Sequence, residues 1–305
     1  MNRLVHTPRA FIRSLQMGRS KLIVFVEGRK TDSYVYGKVC SYFGSPFFYR
    51  IIRSEEIPGT GAGKKRLLSH FESMRRNGYL IIDFKGHKAV TAFMLDKDVD
   101  DWKRIKKKSR HVIYTRYYDI ENYVFAHGDI VEAVAAACSE DPGRVGSHFP
   151  DLCWAELAAD RWRDWVKLCL AASQLRVRGV TNFGSPSRVN RGVCGNVDKE
   201  QYENFLLEIK NRSGISAEEF DRKFRRIARK VDLLYTAKRH DEIFKGKWYK
   251  LQLQEEIRLT IGKERAIPSL GDGVVNHMMQ TLNFDDPWVE DFRKPLQDLL
   301  NTLDS

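Results

Sequence analysis

KLIVFVEGRKTD, residues 21–32, opens with Lys21 and then five apolar residues, Leu22 to Val26, rich in β-branched and aromatic side chains. That is the composition of a buried strand. The run stops at Glu27-Gly28, and Thr31 or Asp32 is placed to cap a following helix. A strand that ends in a carboxylate and passes into a helix sets that carboxylate where open α/β sheets bind ligands, at the carboxyl ends of their strands. A second apolar run, Val90 to Leu95, ends in Asp96-Lys97-Asp98. The two runs are predicted to be neighbouring strands, with Glu27, Asp96 and Asp98 forming one Mg²⁺ site, which Mn²⁺ could also fill. Clustered carboxylates repel one another. Mg²⁺ prefers oxygen ligands and removes that cost. The same ion polarises a phosphodiester and activates water, and a second ion stabilises the leaving oxygen. A plainer use exists for part of this set: Asp98, Asp100 and Asp101 could cap a helix starting near Trp102.

Working outward, residues 32–44 read as a helix, 47–52 as a strand, 65–77 as a helix and 79–84 as a short strand. A further strand over 112–118 ends in Asp119-Ile120-Glu121-Asn122-Tyr123, a third acidic strand end. Residues before 18 read as a basic arm or an edge element. The segment Gly59-Thr60-Gly61-Ala62-Gly63-Lys64-Lys65 has the wrong glycine spacing for a phosphate loop, and no Ser or Thr follows Lys64. It reads as an entry into the next helix, whose N-terminus and Lys64 could still attract a phosphate.

Beyond residue 128 strand signals fade. Helices are predicted over 130–138, 154–175 and 247–261, with a long polar loop over 181–197. Capping patterns at Asp198/Gln201 and Ser216/Glu219 open two more, and Asp286-Pro287 opens the last. The expected architecture is α/β: a domain with a mostly parallel sheet over 18–128, followed by an α-helical region over 129–305.

The chain has 305 residues, and 52 Lys and Arg against 40 Asp and Glu leave a net charge of +12. Such an excess suits a polyanionic partner as well as plain solubility. The basic residues gather at Lys64, Lys65 and Arg66, and at Lys103, Arg104, Lys106, Lys107, Lys108 and Arg110. A third group runs from Arg222 to Lys230. These are the candidate nucleic-acid contacts, with solvated helix faces as the alternative. Five cysteines without a C-x-x-C pair read as reduced thiols. Eight scattered histidines without close pairing argue against zinc. No apolar run approaches membrane-spanning length, and the N-terminus shows no signal-peptide segment. A cytoplasmic protein with no membrane association is expected.

The combination of strand-Glu27-Gly28 and strand-Asp96-Lys97-Asp98 resembles the TOPRIM domain of topoisomerases, primases and the nucleases of the overcoming-lysogenization-defect family. Tyr118-Asp119-Ile120-Glu121-Asn122-Tyr123 resembles a segment of the DUF4435 group of TOPRIM-like proteins. Phe244-Lys245-Gly246-Lys247-Trp248 resembles that group's later Gly-Lys segment. Size and a helical second half are similar to the TOPRIM nuclease effectors of the PARIS anti-phage defence system. The resemblance implies a Rossmann-like catalytic domain with Glu27, Asp96 and Asp98 as Mg²⁺ ligands. It also implies a toxic nuclease held by a partner ATPase of the ABC or SMC type, acting on host RNA, tRNA above DNA.

The expected activity is therefore Mg²⁺-dependent phosphodiester hydrolysis. Glu27 would bind metal or orient water, and Asp96 and Asp98 would hold the metal. Glu121 would serve a second metal or support the first. Lys247 would either neutralise the scissile phosphate or stand as a surface residue at a helix start. A homodimer would suit an effector silent until assembled. The rivals are a primase-like nucleotidyl transferase and a non-catalytic nucleic-acid-binding or regulatory subunit.

Overall fold

The structure, a computed structural model, describes residues 7–28, 31–45, 47–149, 154–177, 183–184, 189, 197–261 and 270–304. Its first elements are α1 (Pro8–Gln16), β1 (Leu22–Val26), α2 (Thr31–Ser41), β2 (Tyr49–Arg53) and α3 (Gly63–Arg76). Next come β3 (Ile81–Phe84), β4 (His87–Leu95), α4 (Asp100–Lys103) and β5 (Val112–Tyr114). Helices follow: α5 (Ile120–His127), α6 (Ile130–Cys138), α7 (Pro142–His148), α8 (Trp154–Arg161) and α9 (Arg163–Gln174). The last are α10 (Lys199–Arg212), α11 (Ala217–Thr236), α12 (Lys247–Thr260), α13 (Leu270–Thr281) and α14 (Glu290–Leu300). The fold is mixed α/β. No helix among the described residues is long and apolar enough to cross a membrane.

Two compact units are interleaved along the chain. One comprises Met1–Asp96, Lys107–Arg116 and Asn283–Ser305, the other Lys97–Lys106 and Tyr117–Leu282. They do not follow the boundary expected at residue 128. The last helix belongs to the sheet unit because its apolar face packs there: Phe292 is fully buried and meets Tyr36 of α2 edge-on at 5.4 Å.

In the sheet unit all five residues of β1 are buried. β1 lies between β2 and β4 and pairs parallel with both. Continuous apolar sequence fits a strand covered on both faces. The far edge of β4 is shared, antiparallel β3 taking its first half and parallel β5 its end. Ile23, Phe25, Phe93 and Leu95 share one face with Phe11 of α1 and Leu67, Phe71 and Met74 of α3. Helices α2 and α14 take the other face. The N-terminal segment, expected as an arm or edge element, contains a helix. Thr7 caps it, Pro8 begins it, and Phe11 and Leu15 are buried. β5 stops at Tyr114, short of the expected residue 118.

In the helical unit α6 packs on α13, α9 on α10 and α11, and α12 on α8 and α13. Trp162, Trp165 and Trp248 are among its fully buried side chains. The single helix expected over 154–175 breaks at Trp162. The break turns the indole inward, 5.5 Å from the Trp248 ring and 6.1 Å from Phe244. Cys40, Cys138 and Cys169 are buried, as expected. Most of the polar loop over 181–197 lies outside the described residues, as do Cys153 and Cys194.

Candidate functional site

Parallel register sets the ends of β1 and β4 level, with Val26 opposite Met94. Glu27 and Asp96 therefore leave adjacent central strands at their carboxyl ends, the position where such sheets bind ligands. The Asp96 backbone N–H donates to Glu27 Oε1 at 3.0 Å. Ser54 Oγ donates to the Glu27 carbonyl at 2.8 Å. The turn after Glu27 is closed by Gly28, whose N–H donates to Asp32 Oδ2 at 2.7 Å. A Cβ at Gly28 would lie 2.8 Å from Asp32 Oδ1, so a larger residue there would push the Asp32 carboxylate aside.

Gly63 begins α3 with φ 50, and a Cβ there would lie 3.8 Å from Glu27 Oε2. The Glu27 carboxylate thus sits beside a helix N-terminus, the end that carries partial positive charge. Lys64 lies in that first turn, its Nζ 5.9 Å from the Tyr114 ring centre. Lys65 is exposed. Arg66 is directed inward: its Nη1 donates to the carbonyls of Ser54 at 3.2 Å and Ile57 at 3.5 Å. It braces the loop before α3. Lys107 pairs with Glu72, and its N–H donates to Tyr114 Oη at 2.9 Å. Lys108 and Arg110 are exposed on the sheet unit, whereas Lys103, Arg104 and Lys106 belong to the helical unit.

In the helical unit Asp98 has φ 49, unusual for a residue with a Cβ. Its N–H donates to the Tyr118 carbonyl at 2.7 Å. Asp98 does not cap α4: the cap position is Val99, and no side chain serves it. Lys97 is buried, 3.9 Å from Asp101 Oδ2. Burial lowers its pKa to about 8, against the opposing pull of Asp101 and Glu242.

The two short motifs of the resemblance meet in this unit. Asp119 caps α5 by accepting the Asn122 N–H at 3.3 Å, and Asn122 Oδ1 returns the bond from the Asp119 N–H at 3.2 Å. Asp119 Oδ1 also accepts the Gly246 N–H at 3.1 Å. A Cβ at Gly246 would lie 2.3 Å from that oxygen, so only glycine admits the contact. Asn122 Nδ2 donates to Asp241 Oδ1 at 2.9 Å and to the Phe244 carbonyl at 3.1 Å. Tyr249 Oη donates to Asp241 Oδ1 at 2.9 Å. Glu121 Oε1 lies 3.9 Å from Lys247 Nζ. Burial pushes the Asp119 carboxyl well above the usual range. Glu121 and Asp98 add to that shift, and Lys247 opposes it.

Within the sheet unit Glu27 and Asp96 share a hydrogen bond; within the helical unit Glu121 faces Lys247, and both, with Asp98, act electrostatically on Asp119. Asp119, Asn122, Asp241 and buried Lys97 were not among the predicted site residues. The signal for Asp119 and Asn122 lay in the Tyr118–Tyr123 motif, and nothing local marked Asp241. Among the described residues no group of three or more His, Cys, Asp or Glu side chains is arranged to hold a metal ion. Mg²⁺ commonly takes only one or two protein carboxylates, with water and phosphate completing its shell. The oxygen donors at Glu27 and Asp96 fit that pattern. Compared with known proteins, the chain matches no family model, and no curated protein matches its sequence.

Proposed function

We propose that the protein is a Mg²⁺-dependent nuclease of TOPRIM type that hydrolyses phosphodiester bonds. The observation that supports this is the Glu27–Asp96 pair at the carboxyl ends of two adjacent parallel strands, with Glu27 Oε1 accepting the Asp96 N–H at 3.0 Å. Glu27 and Asp96 would hold the ion, whose chemistry is to polarise the phosphate and lower the pKa of water. The Asp96 N–H fixes one Glu27 oxygen, leaving the carboxylate oriented before substrate arrives. Ser54 and Arg66 hold the loop between β2 and α3 against that strand end. In the helical unit Glu121 and Asp98 raise the Asp119 carboxyl further above its usual range, and Lys247 opposes them.

The resemblance extends the proposal to a cytoplasmic effector that cleaves RNA, tRNA first, once released from a partner ATPase. Full-length protein incubated with labelled tRNA and plasmid DNA in Mg²⁺ tests it, beside Glu27→Gln, Asp96→Asn and an EDTA control. Cleavage is expected to need the metal and to fall by about a hundredfold or more in either variant. Equal cleavage by wild type and both variants, or cleavage undiminished in EDTA, overturns it. Growth of a bacterial host expressing the same proteins reports whether the activity is toxic.

A further inference from the structure

The basic run after Asp98 and the basic face of α11 were separate features in the sequence. In the helical unit Arg104 of the first and Lys223, Arg226 and Lys230 of the second line one cavity. This cavity, of about 350 Å³, is bordered by Trp102, Arg104, Gln174, Leu175, Lys223, Arg226 and Lys230, with Asp101 as its one carboxylate. A neighbouring cavity of about 470 Å³ is bordered by Trp102, Lys103, Ile105, Ser173, Gln174 and Arg176. The Trp102 indole is common to both.

Three observations set this groove apart from a solvated helix face. First, the helix contributes selectively. Lys223, Arg226 and Lys230 share one face by their one-turn spacing and border the cavity, whereas Arg222, Arg225 and Arg229 do not. Second, its cations are largely uncommitted. Among the described residues no carboxylate pairs with Lys103, Arg104, Arg176, Arg226 or Lys230; Lys223 pairs with Glu219 at 2.7 Å, and Asp101 is engaged by Lys106 at 3.3 Å. Third, an aromatic plane lies among the charges. Lys230 Nζ sits 4.1 Å from the centre of the Trp102 ring, close enough for a cation–π contact. Arg104 and Arg176 reach the groove from left-handed backbone, φ 57 and φ 58, a conformation that costs energy for residues with a Cβ.

We propose that this groove binds single-stranded nucleic acid, with a base stacked on Trp102 and the backbone phosphates held by Arg104, Arg226 and Lys230. A positively charged groove that also carries an aromatic side chain is the arrangement used for single strands, the cations tracking the backbone and the ring stacking on a base. A duplex keeps its bases stacked on one another and has no ring face to offer. The inference goes beyond the proposed cleavage, because binding here requires neither the metal nor Glu27.

The test is fluorescence anisotropy of the full chain with a labelled oligouridine in EDTA, over a salt series, with duplex RNA as competitor. Wild type is expected to prefer the single strand. Arg104→Gln with Arg226→Gln is expected to weaken binding and reduce the salt slope by about 1.4, from roughly 0.7 per lost phosphate contact. Trp102→Leu is expected to weaken binding roughly tenfold without changing the slope, and Trp102→Phe to restore most of it. Unchanged binding in the double variant, or a duplex bound as tightly as the single strand, overturns the proposal. The double variant alters exposed side chains, so it decides the matter even where Trp102→Leu fails to fold. Binding is read without metal and cleavage with it, so loss of one is distinguishable from loss of the other.

Discussion

His70 shows how a single side chain in the sheet unit sets a pH limit. It lies on α3 with its ring 5.5 Å from Phe11 and 5.1 Å from Phe25, and burial lowers its pKa to about 4. The folded state therefore favours the neutral ring, whereas the unfolded chain takes up a proton below about pH 6.5. Stability tied to this group is fully present above that value and is lost as pH falls toward the folded pKa, by roughly 2 kcal/mol once partial exposure is allowed for. His70→Leu removes the titration and keeps an apolar group against Phe11 and Phe25. Urea unfolding at about pH 7 and about pH 4.5 is expected to show a smaller acid loss for the variant. The same loss in both proteins would remove His70 as its source. At this scale the acids at strand ends were legible, because an apolar run followed by Glu27 or Asp96 is a local pattern. His70 was not legible, since its environment is assembled from α1, β1 and β4.

The clasp between the start of α5 and the approach to α12 is the element-scale counterpart. Asn122 is fully buried and joins three partners: the Asp119 N–H, Asp241 Oδ1 and the Phe244 carbonyl. Asn122→Ala would leave these groups buried without their bonds, and a loss of about 3 kcal/mol is expected. Thermal denaturation checks it; a variant as stable as wild type would mean that the clasp contributes little. Such pairing has no periodicity or spacing in sequence, since Asn122 and Asp241 meet only through the fold. Elements built from local pattern fared differently. β1, β4, α6 and the Ser216 cap of α11 were readable from apolar runs and capping residues. The break at Trp162 and the early stop of β5 were not. Helical periodicity continues across the first. At the second, β-prone Tyr117 and Tyr118 are drawn into the helical unit, where the Tyr118 N–H donates to the Asp241 carbonyl at 2.7 Å.

At the scale of the whole molecule, what escaped the linear reading is the return of the chain end to the sheet. Composition changes near residue 128, which suggests a boundary there, yet nothing in composition tells which earlier segment a terminal amphipathic helix will cover. The structure answers through α14: Phe292 and Leu296 are fully buried, and the Arg293 guanidinium lies 4.1 Å over the Tyr42 ring. Just beyond the helix, Lys88 Nζ donates to the Leu303 carbonyl at 3.3 Å. These contacts cover the α2 side of the sheet, so the sheet unit is incomplete without the last residues. Phe292→Ala is expected to cost about 3–5 kcal/mol, as for other large-to-small changes in a packed core. A chain ending at Leu282 would go further and expose Tyr36 together with the sheet face beneath α14. Its soluble yield is expected to fall, and its binding of a hydrophobic dye to rise above that of the full chain. Were the truncated protein to unfold at the same urea concentration as the intact one, α14 would be an appendage, and the sheet would have to be stable on α1, α2 and α3 alone. A five-stranded sheet with one face thinly covered leaves apolar surface in water at about 25 cal/mol per Å², which makes that outcome the less favourable one.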